Sequence, residues 1–405
     1  MKRPFYQIAL PYLALLLLVV TGVLVGYLST SRPKIKITVF NSVIPKLYPG
    51  IGQQNTSLPT TNNILHLING NPVGQVNIAV GQTALILGSF GQLVQVNLGT
   101  QKVISQIATG AAPPQNPYAL SFNNLSKLAV VLSLGANMGN AAVIVNTSIM
   151  KITHVVTLPF APVASASDPI NGNFAYVTGA GGQLALLNIS SGTLVKEIQL
   201  VNNPFAYLDA IAITPDGQIG VVLDNGGESA GNIAILVKMS TLSAYYQVIL
   251  TNDPGAFLDA VAITPDGKYA WVLNGGYGNG FTQSIELPSG VVNQPISVGG
   301  GPLDIVIDPN NQTAYSINGA TGNGNLIVPV NINPNYNAPQ PTGGTPIEVE
   351  PNTNLYLDDG FVIGSSNTLY VLDRDSGDLI PINLSTDVPG KGFYTVAFAV
   401  CVVLE

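Results

Sequence analysis

The residues best suited to chemistry in this chain are three aspartates that recur at related places. Asp209 and Asp259 each stand between a leucine and an alanine, in LDAIAITPDGQIGVVLDN (208–225) and LDAVAITPDGKYAWVLNG (258–275). Asp304 falls one step off that position in PLDIVIDPNNQTAYSING (302–319). Carboxylates repeated in this way can converge to bind a hard cation or serve as an acid/base group. The competing arrangement is that each caps its own turn by accepting backbone N–H groups. Asp216 and Asp266 belong to Pro-Asp-Gly turns and are assigned no function. Asp373, Asp375 and Asp378 in DRDSGD depart from the spacing of a calcium loop and read as turn residues, as do Asp358-Asp359-Gly360.

Little else in the chain offers chemistry. His66 and His154 are the only histidines, in separate segments, and Cys401 is the only cysteine. That leaves no ligand set for zinc, copper or haem and no intrachain disulfide, so neither a metal nor a cofactor is expected. Cys401 lies among valines and reads as a buried, inert thiol. The glycine-rich stretches GGYGNG (275–280) and NGATGNGN (318–325) lack the Lys-Ser/Thr ending of a phosphate loop. They read as loops on one face, where Tyr277 and Phe281 are candidates for binding.

The elements that must position these residues follow from composition and period. Of 405 residues, 46% are hydrophobic and only 9% charged, with 43 glycines. Such a surface stays hydrated through neutral hydrogen-bonding groups. It suits strongly acidic surroundings, where carboxylates lose their charge near pH 4. A net charge of −7 with scattered basic residues argues against nucleic-acid binding, which needs a basic stripe.

Ile8 to Leu28 form an uncharged apolar run of 21 residues, long enough as a helix to cross a bilayer core of about 30 Å. The run exceeds the apolar core of a cleavable signal peptide and no A-x-A site follows, so an uncleaved signal-anchor is expected. Six N-x-S/T sequons follow it, at Asn55, Asn124, Asn146, Asn188, Asn311 and Asn383. With the low charge they place the bulk of the chain on the extracytoplasmic side of the cell membrane, as a single-pass glycoprotein. Residues 1–30 are thus the anchor, 31–70 a stalk or strap, and 71–405 the repeat domain.

The two LDA segments repeat at an offset of 50 residues and the third copy follows 44 residues later, aligned on its Ile307-Asp308-Pro309. Each gives a short apolar strand, a Pro-Asp-Gly or Pro-Asn-Asn turn and a second strand ending in Asn. The unit resembles the YVTN family of β-propeller repeats. Degenerate copies over 72–110, 111–160, 161–203 and about 345–392 bring the total to seven. The resemblance implies an all-β, seven-bladed propeller of four-stranded blades. In such a ring Asp209, Asp259 and Asp304 sit at the mouth of the central channel. The first unit is read as QVNIAVG, TALILGS, GQLVQVNLGT and KVISQIATG, and 161–203 as having a weak first strand. Residues 393–405 resemble the opening strand of a further repeat, expected to close the first blade; KIKITVF (34–40) is the alternative.

Similar propellers occur in cell-surface proteins and in lactonases and lyases. The lone tryptophan, Trp271, excludes the tryptophan girdle of quinoprotein dehydrogenases. With few charges beyond the three aspartates, the expected function is non-catalytic, a scaffold binding an unknown protein or surface polymer. The alternative is a lactonase- or lyase-like enzyme.

Overall fold

A computed structural model describes residues 82–110, 120–134, 139–225, 232–251, 257–276, 280–309, 313–319, 325–332, 343–350 and 355–405, together with two-residue strands at Asn63–Ile64, Leu67–Ile68, Asn71–Pro72 and Val76–Asn77. The apolar run Ile8 to Leu28, KIKITVF, His66, Asn55, Asn311 and Tyr277 lie outside the described residues. Among the described residues no helix is long and apolar enough to cross a membrane.

The chain from Pro59 to Glu405 forms one compact unit; among its described residues are two two-stranded pairs within 63–77 and seven larger sheets of antiparallel strands, the blades. Their inner strands, from the first blade to the seventh, are Ala399–Leu404, Leu120–Asn123, Ala161–Ser167, Leu208–Ile213, Leu258–Ile263, Pro302–Ile307 and Leu357–Ile363. Each packs beside the inner strand of the next blade, and the circle closes. The protein is an all-β, seven-bladed propeller with four-stranded blades.

Strand position explains residue choice. Second strands such as LAVVLS (Leu128–Ser133) and TLYVLD (Thr368–Asp373) are buried at every residue, because neighbouring blades cover both faces. A sheet covered on both sides needs continuous apolar runs rather than alternation. Outermost strands such as KITHVVT (Lys151–Thr157) and TLVKEIQ (Thr193–Gln199) are mostly exposed. Their lysines and other polar groups discourage pairing at the one free edge of each blade. His154 lies on such an edge, against Gly192 of the next blade.

The Pro-Asp-Gly turns join inner to second strands. In the fourth blade Thr214 Oγ1 donates to Asp216 Oδ1 at 2.6 Å, Gln218 N donates to the same oxygen at 3.0 Å, and Gly217 takes φ +70°. The fifth blade repeats this with Thr264, Asp266 and Gly267. Third strands end in a different turn: Asn188 Oδ1 accepts from the N–H of Ser190 and Ser191, and Asn383 Oδ1 from that of Ser385. Two of the sequons therefore coincide with asparagines the turns require.

Two expectations need correction. Of QVNIAVG, the described residues Val76–Asn77 pair with Asn63–Ile64 and not with a blade strand. The inner strand of the first blade is Ala399–Leu404, aligned against Thr83–Gly88, as expected for 393–405, although Phe393–Tyr394 remain with the seventh blade. The third blade's inner strand, APVASAS, is a full seven-residue strand. Its small residues hide the apolar signal, not the strand.

Truncating Leu372, fully buried among blades, to alanine should lower stability by about 2–5 kcal/mol. Gly217→Ala, forced into the left-handed region, should cost about 1–2 kcal/mol. Exposed Phe90→Ala should stay within about 0.5 kcal/mol. Urea denaturation of the three variants checks the ranking.

Candidate functional site at the channel mouth

The inner strands start at one rim of the channel, and five of them start with a β-bulge. Register slips between Leu208 and Ala210, Leu258 and Ala260, Pro302 and Asp304, Leu357 and Asp359, and Ala399 and Cys401. The extra residues are Asp209, Asp259, Leu303, Asp358 and Val400. A bulge leaves one residue out of the ladder and re-aims its side chain. Asp209 and Asp259 thus occupy one structural position, which Asp358 shares. Asp304 is the next residue along, equivalent to Asp359, Ala210, Ala260 and Cys401.

Each bulged aspartate meets the residue 16 positions later in its own blade. Asn225 Nδ2 donates to Asp209 Oδ2 at 3.1 Å. Gly275 lies directly against the Asp259 carboxylate, so that any side chain there would overlap Asp259 Oδ2, while its N–H donates to the Phe257 carbonyl at 2.8 Å. Arg374 Nη1 lies 3.5 Å from Asp358 Oδ2, with its guanidinium over the Tyr356 ring. In the sixth blade the corresponding pair is Leu303 against Gly319.

Capping of the turns that lead into these strands falls to other residues. Asp224 Oδ1 accepts from Tyr207 N at 2.9 Å, Asn274 Oδ1 from Phe257 N at 2.9 Å, and Asp373 Oδ1 from Tyr356 N at 3.1 Å. This is the Asn or Asp that ends each repeat. Asp373 also accepts from Asp375 N, consistent with turn chemistry in DRDSGD. Asp358-Asp359-Gly360, in contrast, is not a turn: all three are buried within Leu357–Ile363.

Burial dominates the electrostatics. It pushes Asp259 well above the usual carboxylate range, helped by the charges of Asp209 and Asp358 and opposed by Gly275 N–H. Asp358 rises to about 7, again chiefly by burial, with Arg374 pulling it down. Asp304 is raised well above its ordinary value by burial and by Asp359 beside it, and Asp359 rises to about 6 through burial. Asp209, Asp259 and Asp358 share one acidic rim, but among the described residues no group of three or more His, Cys, Asp or Glu is placed to hold a metal ion.

Around the rim stands a ring of aromatics at the residue before the inner strand: Tyr207, Phe257, Tyr356 and Phe398. Phe257 and Phe398 are exposed, as are Phe205 at 76% and Phe90 at 72%. Phe398 holds a left-handed backbone (φ +50°) while Ser89 donates to its carbonyl through both N–H and Oγ, and its ring meets Phe90 edge-on at 5.9 Å. The signal for this ring was an aromatic before Leu208-Asp209, Leu258-Asp259 and Leu357-Asp358, with Phe398 at the matching place before Ala399, visible only once the bulge fixes the alignment. Phe281, expected in a loop, lies half-buried in the strand Gly280–Glu286, opposite Asn274. A separate cleft of about 450 Å³ opens between the fifth and sixth blades, lined by Val298, Gly299, Asn318, Leu326 and Val328.

With this geometry in place, comparison with known proteins adds the fold and no more. No family model and no curated protein matches the chain. A functionally unknown protein from Desulfotomaculum acetoxidans DSM 771 superposes with a TM-score of 0.61 at 14% identity, covering 80% of this chain and 99% of that one. A putative 6-phosphogluconolactonase from Bacteroides fragilis NCTC 9343 gives 0.60 at 15%, covering 80% and 98%. Kuenenia stuttgartiensis hydrazine synthase gives 0.59 at 13%, covering 74% and 94%. The likeness is one of fold. At such identities it carries no activity across.

Arg374→Met should leave Asp358 buried without its cation. The folded pKa of Asp358 then climbs further above its unfolded value, so stability is lost as pH rises and retained in acid. The expected loss is about 1–3 kcal/mol at pH 8, smaller than for a fully buried pair because Arg374 is partly exposed, and close to nothing at pH 4. Thermal denaturation across that range checks both size and sign.

Proposed function

We propose that the protein is a membrane-anchored, extracytoplasmic scaffold whose channel-mouth face docks a partner protein or surface polymer without transforming it. The observation that carries this reading is the contrast at the rim. Phe90, Phe205, Phe257 and Phe398 are exposed, while Asp209 is bonded to Asn225, Asp358 is paired with Arg374 and Asp259 is packed against Gly275, each within its own blade. Exposed aromatics on a rigid rim are the residue type that anchors interfaces. Carboxyls held in internal bonds serve the fold.

The apolar run Ile8 to Leu28 supports a single-pass anchor. The sequons support an extracytoplasmic, glycosylated propeller, with Asn124 on an exposed turn. On this reading the chain hangs from the bilayer and presents its loops to a surface partner or a neighbouring membrane subunit.

A second reading has one observation in its favour. Asp358, raised to about 7 and paired with Arg374, has the pKa of a general acid/base at neutral pH, which fits a lactonase- or lyase-like enzyme.

Two measurements separate them. A stoichiometric partner retained on the full chain from detergent-solubilised native membrane should be lost on Phe205→Ser or Phe257→Ser. Removing one anchoring aromatic costs about 2 kcal/mol or more, near thirtyfold in affinity. Retention of the partner by both variants would remove the rim from the interface. Hydrolysis of sugar lactones that disappears in Asp358→Asn would favour the enzyme.

A further inference from the structure

We propose that the outer edge of the fourth blade, Ser243–Ile249, pairs antiparallel with the same edge of a second copy of this chain, joining two propellers through one continuous sheet. Each blade ends at its outer strand, whose outward N–H and C=O groups are satisfied by another extended chain. Among the described residues, the other blades guard that edge. The first three place charge on it: Lys102 in KVISQIA, Lys151 in KITHVVT, and Lys196 with Glu197 in TLVKEIQ. The last three shorten it, to Ile296–Gly299, to Ile347–Glu348, and to the pieces Val388–Pro389 and Phe393–Tyr394. The fourth blade does neither. SAYYQVI runs seven residues without a charge, and all but Val248 are exposed.

The second half of this strand is shaped for pairing. A bulge at Tyr245 interrupts the ladder between the partners of Leu236 and Val237, as bulges do at the same place in the first three blades. From Tyr246 to Ile249 the ladder to Ile233–Leu236 is regular. Beyond it, Leu250 N–H donates inward to the Asn232 carbonyl at 3.1 Å. Alternation along the strand then turns the N–H and C=O of Gln247 and Ile249 outward. The two tyrosines leave them clear. The Tyr246 ring lies against Gly290 of the fifth blade, and Tyr245 Oη donates to the Pro288 carbonyl at 3.4 Å.

A second copy is the occupant because a twofold axis sets this strand against itself. Opposite residues of an antiparallel pair share a sheet face, so the axis passes through a residue, and that residue must point its backbone outward. Of the two that do, Gln247 gives the longer overlap. Gln247 then faces Gln247, Tyr246 faces Val248, and Ile249, 66% exposed, meets the Tyr245 bulge. Aromatic residues opposite β-branched ones stabilise a ladder, and no charge opposes another. In the third blade the matching place holds Glu197, aligned on Ala185 as Gln247 is on Ile235. Pairing there would set two carboxylates face to face.

The test is the molecular mass of the full chain in detergent, read by light scattering during size-exclusion chromatography. The unaltered chain should be dimeric at high protein concentration. Gln247→Lys and Gln247→Glu, both at an exposed position, should each be monomeric at that same concentration. An equimolar mixture of the two should recover the dimer, since opposite charges then meet at the twofold. Gln106→Lys, at the matching place in the first blade, should leave the dimer intact. A monomeric unaltered chain would overturn the pairing, as would a dimer equally lost in Gln106→Lys or not recovered by the mixture. So would a dimer that survives both Gln247 variants, the result expected if the apolar run Ile8 to Leu28 held the copies together.

Discussion

The backbone ladder between Ala399–Leu404 and Thr83–Gly88 joins strands more than 300 residues apart and turns a row of seven sheets into a ring. Without it the first blade would present a bare inner edge, and the inner strands of the second and seventh blades would each lose a neighbour. Sheets made of uninterrupted apolar runs cannot leave such faces and edges in water without inviting aggregation. Closure is therefore what permits residues such as Leu85, Ile86, Tyr370 and Leu372 to be fully buried, and what allows so little charge on the chain.

Closure also creates the channel mouth. Once the inner strands stand side by side, every bulge at their starting end aims its extra residue into the same confined rim. Aspartate there carries a desolvation cost that must be offset locally. The blades do this differently. Asn225 supplies an N–H donor, Gly275 leaves the room that the Asp259 carboxyl fills, Arg374 supplies a cation, and the sixth blade dispenses with the charge by using Leu303. What remains is absorbed as raised pKa values, which keep these groups neutral over a wider range than free carboxyls. A chain whose buried acids are stable when protonated accords with a surface wetted by neutral groups. Both features favour acid.

The fold was legible because its signals are local. Thr-Pro-Asp-Gly specifies a turn, apolar runs on either side specify strands, and recurrence at blade-like spacing specifies the ring. Even the closing strand showed itself in FYTVAFAVCVVLE. The candidate site was less legible, because it depends on bulges, and a slip of one residue moves a side chain to the other face. Asp304 looked like a displaced copy of Asp209; it belongs to another position and to another partner, Asp359, 55 residues away. Asp358-Asp359-Gly360 carries turn composition but lies inside a strand, since Gly360 is needed where Ile317 and the Tyr370 carbonyl leave no room for a Cβ. The rim aromatics carry no compositional mark of their own, whereas the glycine-rich stretch before Phe281 does, so composition points to a different segment of the chain.

Cys401, the only cysteine, stands directly opposite Leu87 in the closing ladder, which allows ring closure to be tested covalently. Cross-strand neighbours in antiparallel pairs lie about 4.5–5.5 Å apart at Cα, within disulfide range. Leu87→Cys, treated with a mild oxidant under native conditions, should form an intrachain disulfide that alters mobility on a denaturing, non-reducing gel and reverts with reductant. Val94→Cys, on the next strand, should not. Failure of Leu87→Cys to cross-link while the protein remains folded, or equal cross-linking of both variants, would contradict closure by the C-terminal strand.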